Sequence, residues 1–158
     1  PRVMPDLKMV TSPYPGRNGG EPEELLAVPA LHLDAALIHA QRADAQGNAQ
    51  LLGEDPFFDD LFVRAADRAI VSCERLVDTA EFLDEGPVQT LLVSRLNTDA
   101  VVEAPGGAGF TQCLPDYERD EDAQRAYVAT AKSDETWDEW LAAFIANPSR
   151  QISQEATR

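Results

Sequence analysis

An α/β fold, with a mixed, largely parallel sheet flanked by helices, is predicted by three observations. The stretch "AALIHA" (35–40) is apolar without alternation, the pattern of a strand buried on both faces. The segment "EDPFFDDLFVRAADRA" (54–69) then gives the clearest helix start in the chain, and "AIVSCERLV" (69–77) returns to a strand. Strand, helix and strand in succession make a βαβ rhythm, which calls for layered α/β architecture. At 158 residues and 44% hydrophobic content, one packed domain is expected. It should cover residues 1–147, with 148–158 a frayed tail. The chain opens on Pro1, so a processed product, a fragment or one half of something larger is expected.

Taken in order, "LKMVTSPYPGRNGGEPEE" (7–24) reads as a short strand followed by a loop punctuated too densely by Pro and Gly for any regular element. Residues 25–40 hold two apolar stretches, the second being "AALIHA". In "RADAQGNAQLLG" (42–53), Gly47-Asn48 before a short apolar run is a hairpin signal. Asp55 is placed to cap the next helix, Pro56 suits its first position, and Asp59 and Asp60 fill the opening turns. Phe57, Phe58, Leu61, Phe62, Ala65 and Ala66 recur at helical spacing and predict one buried stripe. Arg64 and Arg68 complement the macrodipole at the far end.

Beyond the strand at 69–77, "DTAEFLDEGP" is a connection, and "QTLLVSRL" (89–96) and "DAVVEA" (99–104) read as strands. "DYERDEDAQRAYVATA" (116–131) is an acidic helix with a solvated face. A last helix is capped by Ser133, carries Asp134 and Glu135 in its first turn and stops at Asn147-Pro148. Its Trp137, Trp140, Leu141, Phe144 and Ile145 share one face, predicted to dock on the sheet.

The charge excludes several functions. Twenty-eight Asp and Glu against 13 Lys and Arg give −15, which leaves no broad basic face for nucleic acid and disfavours anionic membranes. With no signal peptide and no long apolar span, a cytoplasmic protein is expected. Cys73 reads as a small core hydrophobe, and Cys113 has no base near it in sequence. No nucleophile elbow, phosphate-binding loop or zinc-spaced cluster is present, so no metal site is expected. His39, inside a strand, reads as a satisfied core histidine. The pairs Asp59-Asp60 and Asp120-Glu121-Asp122 point apart on helices and cannot converge on one atom.

Glu103 stands out, in "VVEAPGGAGF" (101–110). At the carboxyl end of a strand its side chain would face the crevice where open α/β sheets bind ligands. Gly106 and Gly107 permit positive φ and close approach, and their N–H groups could receive a carbonyl or phosphate oxygen. The alternative is a tight turn with a hydrogen-bonded acid at its base.

The blocks "DAALIHAQRADAQGN" (34–48), "FFDDLFVRAADRAIVSCERLV" (57–77) and "DAVVEAPGGA" (99–108) resemble, in that order, the alpha subunit of the family I CoA-transferases, of the glutaconate and 3-oxoacid type. "TSPYP" (11–15), "DPFFDDLF" (55–62) and "PDYERDEDAQRAY" (115–127) look closest to one actinobacterial branch, the CoA-transferase-like hydrolase that opens the last ring in steroid degradation. The resemblance spans roughly residues 9–131 and matches the back half of such a subunit. It implies a coenzyme A thioester as substrate and no permanently bound cofactor. It also implies two partners: the missing N-terminal half of the alpha subunit, and a beta-type CoA-transferase subunit. It implies no catalytic residue in this chain, because the working glutamate of either branch lies elsewhere. Glu103, Gly106 and Gly107 would then line the substrate pocket, with Tyr14, Gly47 and Asn48 as further candidates. A Tyr14 that merely packs on the sheet is equally compatible.

Many transferases read "GGAHP" where this chain reads "GGAGF" (106–110). The loss of an imidazole and the gain of Phe110 favour the hydrolase, whose ring substrate is apolar. The expected function is therefore retro-Claisen ring opening of a steroid-derived acyl-CoA. The alternatives are CoA transfer between carboxylic acids, or a structural half without catalysis of its own.

Overall fold

The computed structural model describes residues 7–53 and 57–146. Chain contacts divide it into two compact units between His32 and Leu33. In the first, β1 (Lys8–Thr11) pairs antiparallel with β2 (Glu24–Ala27), Lys8 opposite Ala27 and Thr11 opposite Glu24. The Pro/Gly segment between them turns back on itself, with Gly16 N–H bonded to the Gly20 carbonyl and Asn18 at φ 60°.

The second unit is built on a four-stranded sheet in the order β4-β3-β5-β6: β3 (Ala36–Ala43), β4 (Ala49–Gln50), β5 (Ala69–Leu76) and β6 (Ala100–Glu103). The β3/β5 and β5/β6 pairs are parallel and β3/β4 is the expected hairpin, so the sheet is mixed and largely parallel. Gly47, at φ 106°, closes the hairpin turn. Helix α1 (Asp59–Ala65) makes the crossover between β4 and β5.

One face of the sheet carries the core. Ile38 and Ala40 of β3 and Ala69, Val71 and Cys73 of β5 pack with Ala49, Leu51, Val63 and Val93. The opposite face of β3 and β5 departs from expectation. Leu37 and Ile70 lie side by side in the register and are 77% and 39% exposed, with Val102 of β6 also exposed. A run without alternation signals two buried faces, but among the described residues the second is covered only towards the carboxyl ends, at Gln41 and Glu74, and is open at Leu37, Ile70 and Val102.

The stripe of α1 is likewise corrected. Phe57, Phe58, Leu61 and Phe62 are exposed, and the helix docks through Val63 on its other side. Helical spacing identifies an apolar stripe without saying which neighbour covers it. Asp55 and Pro56 lie outside the described residues. Arg64 pairs with Asp60 one turn back at 2.8 Å.

The predicted strand at 89–96 does not form. Its place is taken by tight turns at Val88–Thr90 and Arg95–Asn97, after the short helix α2 (Phe82–Glu85). The Thr90 hydroxyl bonds the Pro87 carbonyl and the Ser94 hydroxyl accepts from Leu96 N–H, local bonds that compete with a ladder. Only Val93 pairs, in an isolated bridge to Ala49.

Two C-terminal helices complete the unit. Helix α3 (Glu121–Ala129) is capped by Asp120, whose Oδ1 accepts from Ala123 N–H at 2.9 Å. Helix α4 (Asp134–Ala146) is capped by the Ser133 hydroxyl, as expected. Its aromatic face meets other rings rather than the sheet: Trp140 lies 5.1 Å from Tyr127 and 6.3 Å from Phe110. The expected stop at Asn147-Pro148 and the tail lie outside the described residues. No helix among the described residues is long and apolar enough to cross a membrane.

Because α1 is attached through Val63, Val63→Ala should destabilise the fold by about 2 kcal/mol. Leu61→Ala, on the exposed stripe, should stay within about 0.5 kcal/mol of the parent. Urea denaturation of the two variants checks the orientation.

Candidate functional site

Parallel pairing puts the carboxyl ends of β3, β5 and β6 along one edge of the sheet, where crevices open in such folds. β6 leaves the ladder after Ala104 N–H bonds the Cys73 carbonyl at 2.7 Å. Pro105 has no N–H to continue it. Further along β5, Leu76 N–H is met by the Glu103 carboxylate at 2.9 Å. The acid at the strand end thus supplies an acceptor where the neighbouring strand has run out.

The chain then folds through a succession of turns. Gly107 N–H bonds the Ala104 carbonyl at 2.9 Å and Gly109 N–H bonds the Gly106 carbonyl at 3.0 Å. Gly106 and Gly109 sit at φ 75° and 66°, where a side chain would be strained. Gly107 is required for another reason. A Cβ there would lie 2.7 Å from Nδ1 of His39 and 2.8 Å from the Ala104 carbonyl oxygen. The close neighbour of this glycine is a side chain of β3.

Under the turns lies a cluster that sequence reasoning missed. Glu74, buried on β5, accepts from Gly106 N–H at 2.7 Å through Oε2 and from the Tyr117 hydroxyl at 2.6 Å through Oε1. Nε2 of His39 is 2.6 Å from the same Oε1, and Nδ1 is 2.9 Å from the Ser72 hydroxyl. The Tyr117 oxygen in turn accepts from Ala108 N–H at 3.0 Å. Burial works against the Glu74 charge, but the bonds from Tyr117, Gly106 and His39 outweigh it and hold the carboxyl below its usual range. Burial first, then the neighbouring carboxylate, pushes the Tyr117 phenol up, so it stays a neutral donor. His39 has both ring nitrogens bonded, as expected of a satisfied core histidine.

Tyr117 is itself braced. Its backbone exchanges hydrogen bonds with Cys113, and adjacent Asp116 pairs at 2.8 Å with buried Arg42, which also holds Glu85. His39, Glu74 and Cys113 bring one nitrogen, one oxygen and one sulfur within 4.8 Å of one another. They suit a metal poorly: burial and then the Glu74 charge push the Cys113 thiol up to about 12, and both Glu74 oxygens are engaged. Cys73, raised by burial to about 11, is equally unreactive.

Of the residues predicted to form a site, the structure brings Glu103, Gly106 and Gly107 to one edge. The N–H groups of both glycines, offered to a ligand oxygen by the sequence, are engaged within the chain. What the turn leaves open is Pro105 and the backbone of Gly107, a surface with no long side chain. Asn48 lies elsewhere, in the β3–β4 turn, where its amide bonds Asp44 at 2.7 Å and its carbonyl accepts from Arg95 N–H. Gly47 is buried against Thr98 in the same turn. Tyr14 belongs to the first unit, 74% exposed. The Phe110 ring lies 5.2 Å from that of Tyr127, on the helices. The missed signal was Glu74 itself, an acid within the apolar run "AIVSCERLV", which must find partners if buried.

Two outcomes follow from this geometry. Gly107→Ala should destabilise the fold by about 1–3 kcal/mol, since the added methyl meets the His39 ring, as read by chemical denaturation. Glu74 titrates below its ordinary 4.5 in the folded state, so its stabilisation is complete above that value and is lost as pH falls through the folded pKa. Glu74→Gln should therefore lower the urea midpoint at neutral pH, and should lose less stability than the parent as pH falls below 4.5.

Comparison with known proteins agrees with this architecture. The family model described as Coenzyme A transferase matches residues 8–104. A curated relative, the "Cholesterol ring-cleaving hydrolase IpdA subunit" of Mycobacterium tuberculosis, is 49% identical over 141 residues, 89% of this chain and 48% of its own. A 3-oxoadipate CoA-transferase subunit of Pseudomonas knackmussii is 32% identical over 92% of this chain and 48% of its own. Among solved structures, glutaconate coenzyme A-transferase of Acidaminococcus fermentans superposes with a TM-score of 0.71 at 30% identity, covering 87% of this chain and 41% of its own. The chain spans about half the length of the curated relatives it matches.

Proposed function

This chain belongs to the coenzyme A transferase family, and on that premise we propose that it is part of a multi-chain enzyme that opens a ring of a steroid-derived acyl-CoA by hydrolytic retro-Claisen cleavage. The observation that carries the choice is the gap in identity: 49% to the ring-cleaving hydrolase and 32% to the transferase, over similar shares of the chain. In the proposed reaction a carboxylate base activates water against a ring ketone. The water oxygen joins the carbonyl carbon, the adjacent carbon–carbon bond breaks, and the released carbon takes up a proton. The product carries a new carboxylate and keeps its CoA thioester. Coenzyme A is thus part of the substrate, and no permanently bound cofactor is needed.

Glu103 and the turn at Gly106-Gly107 form a wall of the thioester pocket in this proposal, while the base comes from outside this chain. Their position at the carboxyl edge of a parallel sheet supports that role. The turn contributes shape rather than amide donors. Tyr14 and Asn48 stay secondary: one lies in the other unit and the other is bonded within the hairpin turn. The partners are the other half of the alpha-subunit fold and a beta-type CoA-transferase subunit. A parallel sheet with Leu37, Ile70 and Val102 uncovered supports a further layer on that face. The proposed compartment is the cytoplasm.

Co-expression with a beta-type partner and the remaining alpha-subunit half, followed by turnover in H2 18-O water, tests the assignment. One labelled oxygen should enter the new carboxylate, and borohydride should trap no glutamyl-CoA. Transfer of CoA to a free carboxylic acid, with a trapped glutamyl thioester, would identify a transferase instead.

A further inference from the structure

We propose that Tyr117, Glu74 and His39 are positioning residues for acyl-CoA binding, holding the 104–109 turn in the shape that forms the pocket wall; this rests on the function proposed above. None of the three needs to touch the substrate. Glu74 is buried and both its oxygens are engaged, so it acts only through what it holds. What it holds is the turn: Gly106 N–H goes to Glu74 and Ala108 N–H goes to Tyr117, so two steps of the turn's backbone are tied to one carboxylate.

The tie is made from separate elements, which gives it leverage. His39 comes from β3, Glu74 from β5, and Tyr117 from the segment that Cys113 and the Arg42–Asp116 pair hold in place. Tyr117 is the hinge of the arrangement, since its one oxygen donates to Glu74 and accepts from Ala108. His39 supports the turn from beneath, against the Cβ-free face of Gly107. Sheet and turn can shift relative to each other only by breaking bonds to a buried charge. That is the condition under which a wall of small residues, three of them glycine, keeps a defined shape.

Tyr117→Phe removes both hydrogen bonds and leaves the ring. In the assembled multi-chain enzyme it should speed amide hydrogen exchange at residues 106–109 and raise KM for acyl-CoA by about tenfold. The change in kcat should be much smaller, because the wall binds ground state and transition state alike. Faster exchange with KM unchanged would overturn the positioning role, and unchanged exchange would overturn the tie itself. Should Tyr117→Phe fail to assemble, Glu74→Gln keeps the size, removes the charge that both donors share, and is read in the same way. A parent complex that does not turn over acyl-CoA would instead overturn the proposed function, and the positioning role with it.

Discussion

The structure around the candidate site depends on one buried charge. An ionised carboxylate taken out of water is tolerated only where hydrogen bonds replace its hydration. Glu74 meets that condition by gathering a phenol from beyond the sheet, an imidazole from the neighbouring strand and an amide from the glycine turn. Each partner brings its own element along. The positive φ of Gly106 and the missing side chain of Gly107 follow from the same constraint, because the turn must present an amide to Glu74 while passing over the His39 ring. The pair of glycines that the sequence offers as a ligand cradle is first an adaptation to the chain's own interior.

This changes how the glycine turn works in the proposed enzyme. With its amides at 106, 107 and 109 satisfied internally, it is no oxyanion hole. In the proposed enzyme it is a wall, tied from behind through Gly106 to Glu74 and through Ala108 to Tyr117. Glu103 shares that economy: its carboxylate accepts the Leu76 amide that β6 leaves unpaired. Two apolar faces are open for the companion chains proposed above. The Leu37–Ile70–Val102 surface and the aromatic side of α1 are apolar and exposed in a chain about half as long as its relatives. Both would be buried by a further layer of the same enzyme.

Much of the fold was legible in the sequence because its signals are local. The strands at 36–43, 69–76 and 100–103 announce themselves by apolar content, and Ser133 caps its helix where the pattern puts it. What failed was whatever depends on a neighbour. The segment at 89–96 has strand composition, but Thr90 and Ser94 close turns on their own backbone. Phe58, Leu61 and Phe62 repeat correctly along α1, yet Val63 is the residue that meets the sheet. The α4 aromatics found Tyr127 and Phe110 rather than strands. In the site, Glu103, Gly106 and Gly107 were legible because they are nearly contiguous. Glu74 and Tyr117 are far apart in the chain, and no spacing rule joins them. Only the presence of an acid inside "AIVSCERLV" hinted that a partner had to exist.

The central claim is that Glu74 is charged and grips the turn through Gly106. A carbon-13 NMR titration of the Glu74 carboxyl, followed together with the Gly106 amide proton, measures this directly. The carboxyl should titrate below its ordinary 4.5, with the amide proton moving upfield at the same midpoint as the bond weakens. A carboxyl that titrates at or above that value, or a Gly106 amide indifferent to it, would contradict the account.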